Sequence, residues 1–248
     1  MNSHIYHLLK CNFSRDGIIK TCHRIVVTLV DLIHDLKSGI YTWQRHSLAQ
    51  KNILSKNKEN ATEYSPTPAS ALRKLFSKIE LPQNSHFVDI GSGKGRVLLL
   101  ASAYRFTKII GIEFCRDFVE IAERNITHSQ RKNKHAMPPI EMYLMDASEY
   151  RFSNSDNVIY MFDPFNSIVL NEVLRNLQNS IDSFPRQIYL IYLLPAFDEQ
   201  IRRFGLFSFM KYYTIDSYLF AIYSNYEIQL RKCAAEGKPS GTEIMSGK

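Results

Sequence analysis

The sequence predicts an α/β protein, a doubly wound and mostly parallel sheet of seven strands with a helical N-terminal extension. Three observations predict it. From His86 onward, short apolar runs alternate with stretches of helical period, the pattern of a parallel sheet covered on both faces. The last two runs, Phe207–Ile215 and Tyr218–Ser224, are too close for a crossover helix, so they form a hairpin and one of them runs antiparallel. Residues 87–100, FVDIGSGKGRVLLL, place a glycine-rich turn between a strand and a helix, at the edge where such sheets bind ligands.

Each element follows in order. Residues 1–20 have no clear period. In residues 22–37, Ile25, Leu29, Leu32, Ile33 and Leu36 recur at helical spacing, and Ser38-Gly39 is a plausible stop. Polar residues dominate from Gln44 to Glu63, which reads as a linker or loosely packed lid punctuated by Ser65-Pro66-Thr67-Pro68. Thr67 or Ser70 is positioned to cap a helix through Ala71–Phe76. Strands are expected at Phe87–Ile90, Lys108–Phe114, Ile140–Met145, Asn157–Phe162 and Gln187–Leu194. Helices are expected at Val97–Tyr104, Asp117–Ile126, Val169–Ile181 and Ala196–Phe204, with a basic loop at Arg131–His135. The expected domains are a basic helical extension and linker over 1–63, the α/β domain over 64–227 and a disordered tail over 228–248.

Composition bounds the class. With 248 residues, 45% hydrophobic and 22% charged, the chain reads as an ordinary globular protein. No apolar run approaches the roughly 20 residues of a membrane span, and no signal-peptide pattern is visible, so a cytoplasmic location is expected. Cys11, Cys22, Cys115 and Cys233 form no C-x-x-C pair and have no metal-ligand spacing, so free thiols and no metal are expected. Residues 1–60 carry nine Lys/Arg against four Asp/Glu, whereas residues 61–227 carry 18 of each. The basic excess outside the middle segment suits RNA, an anionic membrane face or an acidic protein, or is simply a solvated surface.

The glycine turn discriminates among ligands. A P-loop needs Ser or Thr after its lysine, and here Gly95 follows Lys94. A dinucleotide fingerprint needs a third glycine where Arg96 stands, and Asp89 would repel a pyrophosphate. A carboxylate there suits a cation, and S-adenosyl-L-methionine carries a sulfonium and an α-ammonium group. Glu113, 22 residues after Gly91 and ending the next strand, is placed as a ribose clamp. Asp146 and Asp163 end the following strands, so four acids lie along one sheet edge, although Asp146 also reads as a helix cap. Lys94 and Arg96 are assigned no role.

These motifs resemble the class I, seven-stranded S-adenosylmethionine-dependent methyltransferases, a Rossmann-like family. VDIGSGKGR, GIEF, MDA and FDPF are similar to its first four motifs, over residues 64–224. The pattern Y-x-P-T-P, a helix and DIGSGKGR also resembles bacterial methyltransferase-domain proteins, with a faint echo of Dot1-type and mitochondrial lysine methyltransferases. The resemblance implies strand order 3-2-1-4-5-7-6. It implies that Asp89, Gly91, Ser92, Gly93 and Gly95 face the methionine moiety, Glu113 the ribose and Asp146 the adenine, with Phe114 and Ala147 also binding cofactor.

Asp163-Pro164-Phe165 is similar to the [DNS]-P-P-[YF] motif of amino methyltransferases, with one proline fewer. In that reading Asp163 and the Pro164 carbonyl accept from an attacking N–H, and Phe165 offers a π-face. Tyr64 is placed to close over the substrate as part of a lid, or simply packs there. The expected function is methyl transfer to a nitrogen of a protein side chain or a nucleic-acid base, with a protein or RNA as partner. The alternatives are a cofactor-binding module without turnover and a nicotinamide-dependent oxidoreductase.

Overall fold

The computed structural model describes residues 25–33, 35–43, 59, 64–82, 84–133 and 136–230. The first 24 residues, nearly all of the polar stretch before Tyr64, His135 and the tail after Leu230 lie outside them.

The chain forms one seven-stranded sheet in the order β3-β2-β1-β4-β5-β7-β6. Its strands are β1 (His86–Ile90), β2 (Lys108–Glu113), β3 (Ile140–Leu144), β4 (Asp156–Met161), β5 (Tyr189–Leu193), β6 (Phe209–Ile215) and β7 (Tyr218–Ser224). The first five pair in parallel, and β7 runs antiparallel to both β5 and β6. Asp216 and Ser217, both with positive φ, make the tight turn of the closing hairpin.

Helices cover both faces. They are α1 (residues 25–33 and 35–38), α2 (Ala69–Lys78), α3 (Arg96–Ala101), α4 (Arg116–Lys132), α5 (Ser167–Ser183) and α6 (Asp198–Phe204). Alternation along β1 shows why two cores exist. Phe87 points to one face, with Leu72, Phe76 and Leu98 of α2 and α3. Val88 and Ile90 point to the other, with Leu170, Val173 and Ile201 of α5 and α6.

Several boundaries move. α3 stops at Ala101, short of Tyr104, and α4 continues through Arg131 and Lys132, absorbing the start of the expected basic loop. Neither Thr67 nor Ser70 caps α2. Pro68 is its N-cap, Thr67 bonds the Tyr160 hydroxyl at 2.8 Å, and Ser70 donates to Asp216 at 3.2 Å. The cap comes from α1 instead, where Asp31 accepts from the Ala69 N–H at 2.8 Å.

α1 sits with its apolar stripe outward. Val27, Asp31 and Asp35 are buried, whereas Leu29, Ile33 and Leu36 are exposed. The buried face of this helix is therefore largely acidic.

Candidate active site

Asp89 lies within β1, between Gly111 of β2 and Tyr160 of β4. Its carboxylate is buried, and among the described residues no donor reaches it. Burial first, then the neighbouring Glu113 charge, push it well above the ordinary carboxylate range. Such a group gains most from a cation brought into the same space.

Glu113 ends β2 with both oxygens held. Oε2 accepts from the Gly93 N–H and Oε1 from the Cys115 N–H, each at 2.9 Å. Burial still lifts it from 4.5 to about 7, against those bonds. The glycine turn is thus fastened to the second acid of the row. Gly93 itself has φ +52°, and any β-carbon on it would run into the Tyr64 ring.

Asp146 caps a short 3₁₀ turn, Ala147–Glu149, accepting from the Ser148 N–H at 2.9 Å and its hydroxyl at 2.7 Å. Two adjoining cavities connect these residues. One is walled by Tyr64, Asp89, Ser92 and Phe162 among others, the second by Ile112, Asp146, Ala147 and Phe165. Gly91, Glu113, Phe114 and Pro164 border both. Gly91 makes that junction possible, since a β-carbon there would stand 2.5 Å from Cβ of Pro164. Gly93 and Gly95, by contrast, line neither cavity, and Gly95 is the N-cap of α3.

The segment after β4 divides its residues. Asp163 has φ +40°, a strained conformation for aspartate. Its Oδ1 accepts from the Tyr192 hydroxyl of β5 at 2.7 Å, and burial raises it above the usual range. It borders neither cavity, whereas Pro164 borders both. Phe165 is core, packed with Val169 and Leu170, and it reaches the cavity beside Asp146 rather than the one beside Tyr64. Tyr64 walls the first cavity and donates to the Thr42 carbonyl at 2.7 Å.

Two residues without an assigned role are built in deeply. Arg96 is buried and reaches Asp31 at 2.9 Å, Asp35 and the Thr42 hydroxyl at 2.7 Å, and the Thr67 carbonyl at 3.4 Å. Thr42 also donates to Asp35 at 2.5 Å. The arginine therefore fastens α1 and the segment before α2 over the first cavity. Lys94 is fully buried, its Nζ lying 4.9 Å and 5.1 Å from the ring centres of Tyr41 and Tyr64, and 6.0 Å from that of Phe118. The signal for Arg96 was present in the sequence: Asp31 and Asp35 share a face of an otherwise apolar helix and need a cation. Among the described residues no cluster of His, Cys, Asp or Glu is arranged to hold a metal.

A family model described as histone methylation protein DOT1 matches residues 41–174, more than half of the chain. The chain belongs to this family. It is an S-adenosylmethionine-dependent methyltransferase of class I, and its sheet has the order expected of that class. Membership removes the nicotinamide-dependent alternative. No curated protein matches the chain. Among solved structures, a SAM dependent methyltransferase from Aquifex aeolicus is 17% identical, with TM-score 0.45 over 63% of this chain and 88% of that one. Precorrin 8w decarboxylase from Methanobacterium thermoautotrophicum is 16% identical, with TM-score 0.46 over 68% and 95%. A methyltransferase of the same cofactor class from Methanosarcina mazei is 16% identical, with TM-score 0.45 over 61% and 95%.

Proposed function

We propose that this methyltransferase modifies a nitrogen of a protein side chain and holds its cofactor along the two joined cavities. The observation that carries the cofactor placement is Asp89, a buried carboxylate bordering the first cavity with no donor among the described residues. The residues fit a cationic ligand, since anionic Asp89 and Glu113 favour positive charge in that cavity. In this reading Asp89, Gly91 and Ser92 meet the methionine end, with Gly93 and Gly95 shaping the turn from behind. Glu113 and Phe114 meet the ribose. Asp146, Ala147 and Phe165 meet the adenine, so Phe165 belongs to the cofactor rather than to the substrate.

The cofactor supplies a methyl group already activated on a sulfonium. The protein aligns a neutral nitrogen with it and excludes water. Tyr64 and Pro164 wall the reacting end, and Tyr192 holds Asp163 behind Pro164, where it fixes the turn rather than meeting the substrate. No strong general base is needed for a neutral amine, although a protonated lysine must first release a proton. The family description, histone methylation, supports a protein substrate. The basic excess of residues 1–60 supports an RNA base as the second reading.

Calorimetry with S-adenosylmethionine tests the cofactor placement: wild type gives a binding isotherm, and Asp89→Ala weakens it at least about tenfold, worth ~1.4 kcal/mol. Equal affinity of the two refutes it. For the substrate, extract is incubated with enzyme and labelled cofactor. Label removed by protease supports protein, and label removed by nuclease assigns RNA. Binding without any labelled product assigns a module that holds cofactor without turnover.

A further inference from the structure

We propose that α1 is a docking face for an anionic lipid surface, on which the protein lies without crossing it. Val26, Leu29, Val30, Ile33 and Leu36 form one stripe along the helix, each 48–66% exposed. Their spacing is that of an amphipathic face, and it points away from the sheet. In most globular proteins such a stripe is the buried one. Here the opposite face is buried because Asp31 and Asp35 are held by Arg96.

That inversion sets the charge of the outer surface. Both acids of α1 are consumed inside, so none faces outward among the helix's described residues. At the C-terminal end of α1, Lys37 is exposed beside Lys132 of α4, and Arg131, next to Lys132 in the chain, is exposed too. Lys132 Nζ donates to the Lys37 carbonyl at 2.9 Å, which holds the two helix ends together. Tyr41 and Trp43 follow α1, in edge contact at 6.4 Å, and Tyr41 is exposed. An apolar stripe bordered by lysine, arginine and amphipathic aromatic residues matches the boundary between acidic headgroups and acyl chains. No helix of the described residues is long and apolar enough to span a bilayer, so the contact is peripheral.

Charge also argues against a second copy as the occupant. A second copy laid on the stripe would leave the exposed Lys37 and Lys132 beside it without an answering charge. With Asp31 and Asp35 already spent on Arg96, no acid among the described residues of α1 answers them. Nucleic acid would satisfy the cations but leave five aliphatic side chains in water.

The test is sedimentation of the full chain with vesicles, paired with light scattering. Wild-type protein is expected to pellet with phosphatidylcholine vesicles containing phosphatidylglycerol, to remain in solution with phosphatidylcholine alone, and to be released by added salt. Leu29→Glu with Ile33→Glu changes two exposed positions and is expected to lower the pelleted fraction about tenfold, with unchanged melting temperature. Lys37→Ala is expected to weaken pelleting by about fivefold, the weight of a single basic residue near such a surface. Failure of wild type to pellet with anionic vesicles at low salt overturns the proposal, as does undiminished pelleting of the glutamate variant. A dimer in solution that Leu29→Glu with Ile33→Glu dissolves, without vesicle binding, assigns the stripe to a second copy instead.

Discussion

Asp89 and Glu113 share one buried space, and only Glu113 has backbone donors to steady it. The consequence is a linked pH dependence. Because the folded protein holds the Glu113 proton up to about 7 against an ordinary 4.5, the group stabilises the free protein at low pH. That contribution is present below pH 4.5 and is lost as pH rises through about 7. Binding of a cation runs the other way, since it needs the ionised acids. Calorimetry in buffers of different ionisation heat is therefore expected to show protons released on cofactor binding near neutrality, and tighter binding as pH increases through that range. Binding that is independent of pH there contradicts this placement. Arg96 gives a second prediction. Arg96→Ala leaves Asp31 and Asp35 buried without a cation and is expected to cost about 3–5 kcal/mol in denaturant unfolding, whereas exposed Lys74→Ala, in a surface pair with Asp216, costs under about 1 kcal/mol.

Among the elements, the parallel strands and the closing hairpin were legible because their apolar runs are short and bounded, which leaves little freedom of type. Ends were less legible. α4 extends past Ile126 because its second half is polar and helical at once, so hydrophobic period alone stops too early. The face of α1 was illegible for a different reason. Periodicity identifies an apolar stripe but not which side meets the protein, and here a pairing over 61 residues, Asp35 to Arg96, decides it. Phe165 likewise looked available for a substrate, but its neighbours Val169 and Leu170 draw it into the core. The glycine turn carries the prediction at this scale. Gly93→Ala would need positive φ and displacement of Tyr64, so unfolding stability is expected to fall by about 1–3 kcal/mol, with weaker cofactor binding measured on the same protein.

At the scale of the molecule, the sequence suggested a separate extension ending at residue 63. Contacts argue for a different unit. Residues 31, 35 and 42 reach Arg96, Tyr41 stacks over Lys94, and Asp31 supplies the acceptor at the start of α2. We propose that the functional unit begins at α1. Removal of residues 1–43 is expected to lower the melting temperature and weaken cofactor binding, and Arg96→Met is expected to recover part of the lost stability by removing the stranded cation. A truncated protein that melts and binds like the full chain contradicts it.

The clasp between α1 and α3 also imposes an order on synthesis. Asp31 and Asp35 leave the ribosome more than sixty residues ahead of the arginine that neutralises them. Until the glycine turn exists, α1 lacks the arginine that answers its acids, and its greasy side is on display from the start. The earliest of the described helices therefore waits for α3 before it can dock, and a nascent chain stalled before Arg96 presents a target for chaperones.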